Sequence, residues 1–192
     1  MRIDPAEFRA LDLRCHALLG DVTLHDAWAI PLHGGGPGRT MSDLRALMSA
    51  GRRPRPNAAV RALFALRWWL GGVFRWEDER HDQPGASYVH RLTEADRAQS
   101  LVPPGTRDGP FRVLYVFGHE ALSEIRNATV HGFMALALAH REPGYVLYVG
   151  VYVKAVSRFT TLYMTLIDPF RRFVVYPALI RMVQQAWLRA YG

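Results

Sequence analysis

Apolar positions along the chain change their period twice. Near the start, VTLHDAWAIPL (Val22 to Leu32) alternates imperfectly and predicts a strand, after a short N-terminal helix. HGGGPGRT (His33 to Thr40) follows, and SDLRALMSAG then predicts a helix with Ser42 as N-cap and Gly51 as stop. Beyond the linker GRRPRP, Val60, Leu63, Phe64, Arg67, Leu70 and Phe74 recur at helical spacing, with Asn57 as cap. The polar stretch EDERHDQPGAS reads as a surface loop.

In the middle third the period shortens. YVHRL, FRVLYVFG, ALSEIRN, ATVHGFMALALAH and YVLYVGVYVKAV are rich in Val, Tyr, Leu and Phe, and PPGTRDGP and HREPG supply turns, which predicts an antiparallel meander. No helical segment between these runs is long enough for βαβ crossovers, so a doubly wound parallel sheet is excluded. From Arg158 to Tyr191 the spacing is helical again, with Phe159, Leu162, Tyr163, Leu166, Phe170, Phe173, Val174, Ile180, Val183 and Trp187 on one stripe. Such a helix would span about 50 Å, with Pro169 and Pro177 breaking or kinking it.

This order predicts a single α+β domain over residues 1–192: a 1–20 N-terminal extension, a curved antiparallel sheet, two short helices and a C-terminal helix over 158–191. A curved sheet with an apolar concave face must be covered, and the long helix is the element able to do it. That is a helix-grip arrangement, and a cavity can remain where helix and sheet part.

Composition adds limits. With 49% hydrophobic residues, 192 residues can fill one sizeable core. The formal net charge is +7, yet Lys154 is the sole lysine and the arginines are scattered from Arg2 to Arg189. The densest basic run, GRRPRP, lacks interleaved stacking aromatics, so no nucleic-acid partner is expected. Cys15 stands alone, which excludes an internal disulfide. The N-terminus MRIDPAEFRALDL is too charged for a secretory signal, and no uncharged run reaches membrane-spanning length; a cytoplasmic protein is expected. The C-terminal stripe also has a membrane-surface reading, but its apolar face is needed to close the sheet.

The glycine run fits no catalytic motif. Aligned as a P-loop it has His33 in place of the first Gly and Arg39 in place of Lys; as a dinucleotide fingerprint it has Arg39 in place of the third Gly. Its HGG opening resembles an esterase oxyanion loop, but the chain has no G-x-S-x-G elbow. It is read as a strand-to-helix turn that leaves Arg39 at a cavity mouth. No histidine spacing suits a metal, since His119-Glu120 lacks the second His of a zincin helix. No cofactor and no metal are expected.

Glu124, Arg126 and His131 are the candidates for acid–base work, because a carboxylate near a cation in a pocket has a tunable pKa. His131 shares a strand face with Asn127 and Thr129, and this polar row is read as facing solvent, with Val130, Met134, Leu136 and Leu138 toward the core. Aromatic walls suit a flat or greasy ligand. The candidate cavity-lining residues are Trp28, Arg39, Trp68, Arg126, His131, Tyr148, Tyr152 and Tyr163; no catalytic residue is assigned.

HDAWAIPL, ALRWWLGGVFRW, NATVHGFMALAL and FTTLYMTLIDPFRRFVVYPALIRMV together resemble the bacterial family called domain of unknown function 2867, over about Leu19 to Tyr191. That family often has a Tyr followed by Pro-Phe-His in its C-terminal helix; Tyr163 and Pro169-Phe170 match, and Arg171 replaces the His. Ser87 to Thr106 looks like an addition to the family pattern. The resemblance implies the START and polyketide-cyclase-like (SRPBCC) helix-grip superfamily, whose members bind hydrophobic molecules and in some cases catalyse cyclisation or dehydration. It also implies a dehydrogenase-like partner, since members occur behind NAD(P)-binding domains. It carries over no catalytic residue. The expected function is binding of a hydrophobic or aromatic small molecule; a cyclase or dehydratase, or an accessory module of a dehydrogenase, are the alternatives.

Overall fold

A computed structural model describes residues 1–50, 86–126, 130–155 and 176–192. Its elements are α1 (Pro5–Arg9), α2 (Arg14–Leu18), β1 (Thr23–His33), α3 (Met41–Ala50), a 3-10 turn (Tyr88–Arg91), α4 (Glu94–Gln99), β2 (Arg107–Asp108), β3 (Phe111–Val116), β4 (Glu120–Arg126), β5 (Val130–Arg141), β6 (Gly144–Ala155) and α5 (Tyr176–Tyr191). The predicted helix around Val60 to Phe74 and the first part of the predicted C-terminal helix, 158–175, lie outside the described residues.

The strands form one curved antiparallel sheet in the order β1-β6-β5-β4-β3-β2. β2 to β6 make the expected meander, and β1 returns to pair with β6, Trp28 opposite Val149 and Ile30 opposite Leu147. Register shifts between Leu24 and Asp26 and between Val113 and Tyr115 mark bulges, which bend strands. Both margins are partly occupied by other backbone. Along β1, Ile3 N–H donates to the Ala27 carbonyl and Ala29 N–H to that of Met1. Along β3, Leu101 N–H donates to Val116 and Gly105 N–H to Val113, while Val113 N–H donates to Thr106.

Two local expectations are corrected. YVHR is a 3-10 turn and not a strand, because Ser87 caps it by accepting from Val89 N–H. The helix after the glycine run starts at Met41, so Ser42 lies inside it; Thr40 precedes it and donates both its N–H and its hydroxyl to Asp43. The predicted break or kink at Pro169 lies outside the described residues, and Pro177 is the second residue of α5.

The sheet is covered on both faces, so the C-terminal helix is not its only cover. On one face α3 and α5 pack Met41, Leu44, Val183 and Trp187 over Ile30, Leu32, Leu147 and Leu138. On the other, the N-terminal extension and the 88–92 segment pack Phe8, Cys15, Leu18, Tyr88 and Leu92 over Leu122, Phe133, Ala135, Tyr148 and Tyr152. Strands buried on both faces read as continuous apolar runs, which is how YVLYVGVYV reads.

Candidate functional site: two faces of one sheet

The face under α5 is packed unevenly. At the C-terminal end of the helix Trp187 is fully buried, 5.5 Å from the Tyr145 ring and 4.9 Å from the Tyr191 ring. Ile30, Leu32, Leu138 and Leu147 beneath that end are buried. Toward the N-terminal end of α5, Trp28, Met134, Leu136 and Val151 are only half-buried, although they lie on β1 and the inner strands β5 and β6. On the helix Leu179 and Ile180 are half-buried, while Tyr176, Val183 and Trp187 are buried.

At this looser end the Trp28 and Tyr176 rings lie 4.9 Å apart. The Tyr176 hydroxyl donates to Asp26 Oδ2 at 3.4 Å. The Asp26 side chain is fully buried, and Arg2 Nη2 approaches its Oδ1 to 3.2 Å. Two aromatic rings, aliphatic strand positions and one buried carboxylate, itself held by Tyr176 and Arg2, thus meet at this end of α5. Among the described residues, no group of three or more His, Cys, Asp or Glu could hold a metal.

The opposite face carries the buried charge. Glu120 and Glu124 stand four residues apart on β4, so both carboxylates point to this face, and both are buried. Glu120 accepts the N–H groups of Arg14 and Cys15, each at 2.9 Å, and the Tyr115 hydroxyl, which pins the start of α2 to the sheet. Glu124 accepts the Ser87 hydroxyl at 2.5 Å, the Tyr88 N–H at 3.1 Å and His131 Nε2 at 3.0 Å, and Arg126 Nε lies 3.6 Å away. Burial pushes the Glu124 carboxyl up, but the bonds from His131, Ser87 and Tyr88 and the charge of Arg126 outweigh it and hold it below its ordinary value.

The expectation that His131 faces solvent is therefore corrected. Its strand face is covered, and the ring sits buried against Tyr88 and Phe133 at 5.1 and 4.4 Å. Asn127 and Thr129 lie outside the described residues.

Two further anchors were not foreseen. Arg14 grips Asp96 through Nε and Nη2, both at 2.9 Å, and Asp96 forms a capping box with Thr93 at the start of α4. Asp21 accepts Arg91, the Tyr88 hydroxyl at 2.8 Å and Lys154 Nζ at 3.2 Å. The sequence did carry signals: Thr93 and Asp96 stand at capping-box spacing, and Glu120 and Glu124 at an even spacing within one strand.

The sequence-predicted lining residues separate onto the two faces. Trp28 lies under α5. Arg126, His131, Tyr148 and Tyr152 belong to the other face, where the Tyr152 hydroxyl and His16 Nδ1 are 3.0 Å apart. Trp68 and Tyr163 lie outside the described residues. Arg39 is held at the end of α5: its Nε donates to the Gly35 carbonyl at 2.7 Å and its guanidinium lies 4.0 Å over the Tyr191 ring. The Glu124, Arg126 and His131 group does come together, but on the face away from α5.

The glycine run is the strand-to-helix turn, and its glycines answer to packing. Gly34, Gly35, Gly36 and Gly38 all have positive φ. A Cβ on Gly35 would come within 2.8 Å of the Trp187 ring, and one on Gly34 within 2.7 Å of the Tyr191 carbonyl. The Tyr145 hydroxyl ties the turn together, donating to the Gly36 carbonyl at 2.9 Å and accepting from Arg39 N–H at 3.0 Å. The backbone groups of this turn are thus engaged by the end of α5 and by Tyr145.

No helix of the described residues is long and apolar enough to cross a membrane. No curated protein and no solved structure matches the chain. A family model described as "Protein of unknown function (DUF2867)" matches residues 18–178. The match takes in the whole sheet, both buried glutamates and the glycine turn, and leaves outside α1, all of α2 but Leu18, and all of α5 beyond its first three residues. Since it spans well over half of the 192 residues, the chain belongs to the DUF2867 family.

Proposed function

We propose that the protein is a helix-grip protein that binds a hydrophobic or aromatic small molecule between the sheet and α5, at the end marked by Trp28 and Tyr176. The strand order supports the fold reading: a first strand beside the last, a meander between them, and a C-terminal helix across one face. The observation that carries the binding reading is the half-buried apolar set Trp28, Met134, Leu136 and Val151 on strands whose opposite face is closed. Apolar surface left partly uncovered inside a fold is surface a ligand can cover, at roughly 25 cal/mol per Å².

The test is native mass spectrometry with a panel of fatty acids and flavonoids, together with displacement of 1-anilinonaphthalene-8-sulfonate. Saturable one-to-one binding, lost when Leu136→Trp fills the space, is expected. Binding that survives the filling, or no saturable binding across the panel, would overturn the reading.

A second reading, acid–base catalysis of the cyclase or dehydratase type, is favoured by one observation: Glu124, His131 and Arg126 converge within 3.6 Å. In the closed fold Ser87 and Tyr88 occupy that carboxylate, so the chemistry would need the group to become accessible.

A further inference from the structure

We propose that the basic end of the sheet face away from α5 is a docking surface for an acidic protein segment, with Arg107 and Arg112 gripping its carboxylates. The strand register places one basic side chain from each of five successive strands on this face. Lys154 of β6 stands opposite His131 of β5, and His131 stands opposite Arg126 of β4. Two residues earlier on β4, Glu124 stands opposite Arg112 of β3, which in turn stands opposite Arg107 of β2. Positions directly opposite share a face, and so do positions two apart on one strand. Neighbouring strands lie about 4.8 Å apart, so the band runs across roughly 20 Å of sheet.

The acids close to this band are already engaged. Glu124 is buried and accepts Ser87, Tyr88 and His131, with Arg126 beside it. Asp21 is shared by Lys154 and Arg91. Asp108, next to Arg107 on β2, alternates to the α5 face and pairs with Arg45 of α3 at 2.9 Å. Among the described residues, Arg107 and Arg112 are thus left without a carboxylate partner. Arg107 is exposed and Arg112 half-buried. Like charges directly opposite each other destabilise a strand pair, and a carboxylate seated between these two relieves that repulsion. An arginine fork takes a carboxylate through two parallel bonds. A row of cations across the strands suits several carboxylates along an extended chain. The rings on this face nearest the band, Tyr88 and Phe133, are buried, so neither is offered for stacking a base. That favours an acidic peptide over single-stranded nucleic acid. The band lies on the face opposite α5, so the inference is independent of ligand binding there.

The experiment is fluorescence anisotropy of a labelled oligo-glutamate peptide titrated with the full chain at neutral pH and low salt. Saturable binding that weakens as salt is raised is expected. The double variant Arg107→Ala, Arg112→Ala is expected to bind roughly tenfold more weakly. The control double variant Arg181→Ala, Arg189→Ala removes the same charge from exposed positions of α5 and is expected to bind as the wild type does. Should the first double variant lose the wild-type circular dichroism, Arg107→Glu at the exposed β2 position replaces it, with the same direction expected. Equal loss in the two double variants would reduce the effect to net charge and overturn the proposal. So would the lack of saturable binding, or tighter binding of oligothymidylate or of phosphatidylserine vesicles than of the peptide.

Discussion

Gly150 of β6 lies directly under the ring of Phe8 from α1: a Cβ there would approach Phe8 Cζ to 2.5 Å. Phe8 is fully buried, so it has nowhere to swing without opening the core. Gly150→Ala should destabilise the fold by about 1–3 kcal/mol through overpacking. Phe8→Leu in the same chain should recover part of that loss, so that the double variant is more stable than the sum of the single effects implies. Urea midpoints of the four proteins check this; strict additivity would show that the two residues do not touch.

Arg14 holds the Asp96 carboxyl at about 2, helped by the Thr93 N–H and hydroxyl against the opposing effect of burial. Because the folded value lies below the unfolded one, near 3.9, the resulting stability is fully present above about pH 4. It is lost as pH falls toward 2. The contribution is of the order of 1–2 kcal/mol. Denaturant midpoints of the wild type and Asp96→Asn should differ at pH 7, and the difference should shrink as pH falls below about 4 and vanish only below about pH 2.

Cys15 is fully buried, and burial together with the neighbouring Glu120 carboxylate raises its thiol pKa well above the ordinary value. The thiolate is the reacting form, so modification should be slowed by on the order of a hundredfold relative to the unfolded chain. Timed reaction with a disulfide reagent, with and without urea, measures the ratio. Equal rates would place Cys15 at the surface.

Two glycines of one turn should respond differently to alanine. Gly35 has φ +102 and a Trp187 ring atom 2.8 Å from a new Cβ, whereas Gly36 has φ +61 and nothing within 4 Å. Gly36→Ala should cost about 1 kcal/mol, the left-handed penalty alone. Gly35→Ala should cost about 2–4 kcal/mol, because Trp187 must also move. Thermal midpoints and the near-ultraviolet dichroism of Trp187 report both effects.

The parts legible in the sequence were those written in local pattern. FRVLYV, VHGFMALALAH and YVLYVGVYVKA are β-branched and aromatic runs bounded by turns, and each is a strand. The glycine run read as a turn because its spacing fitted no phosphate motif, and a turn is what the positive φ values serve. What escaped depended on distant partners. Tyr88 and Val89 have strand-forming side chains, yet their conformation is fixed by Ser87 and by Glu124, which lies 36 residues on. His131 looked like one polar residue in a polar row. Its burial follows from Glu124 on the neighbouring strand and from a cover supplied by residues 86–92. The lack of alternation in YVLYVGVYV already implied a second covered face, and that was the signal to weigh.

The occupied rims of the sheet have a consequence for assembly. Unpaired strand backbone is a template onto which foreign chains polymerise. Here Met1 and Ile3 engage the middle of the first strand, and residues 100–106 run along the third. An incoming peptide would have to peel these segments away before it could pair along the full length of either rim.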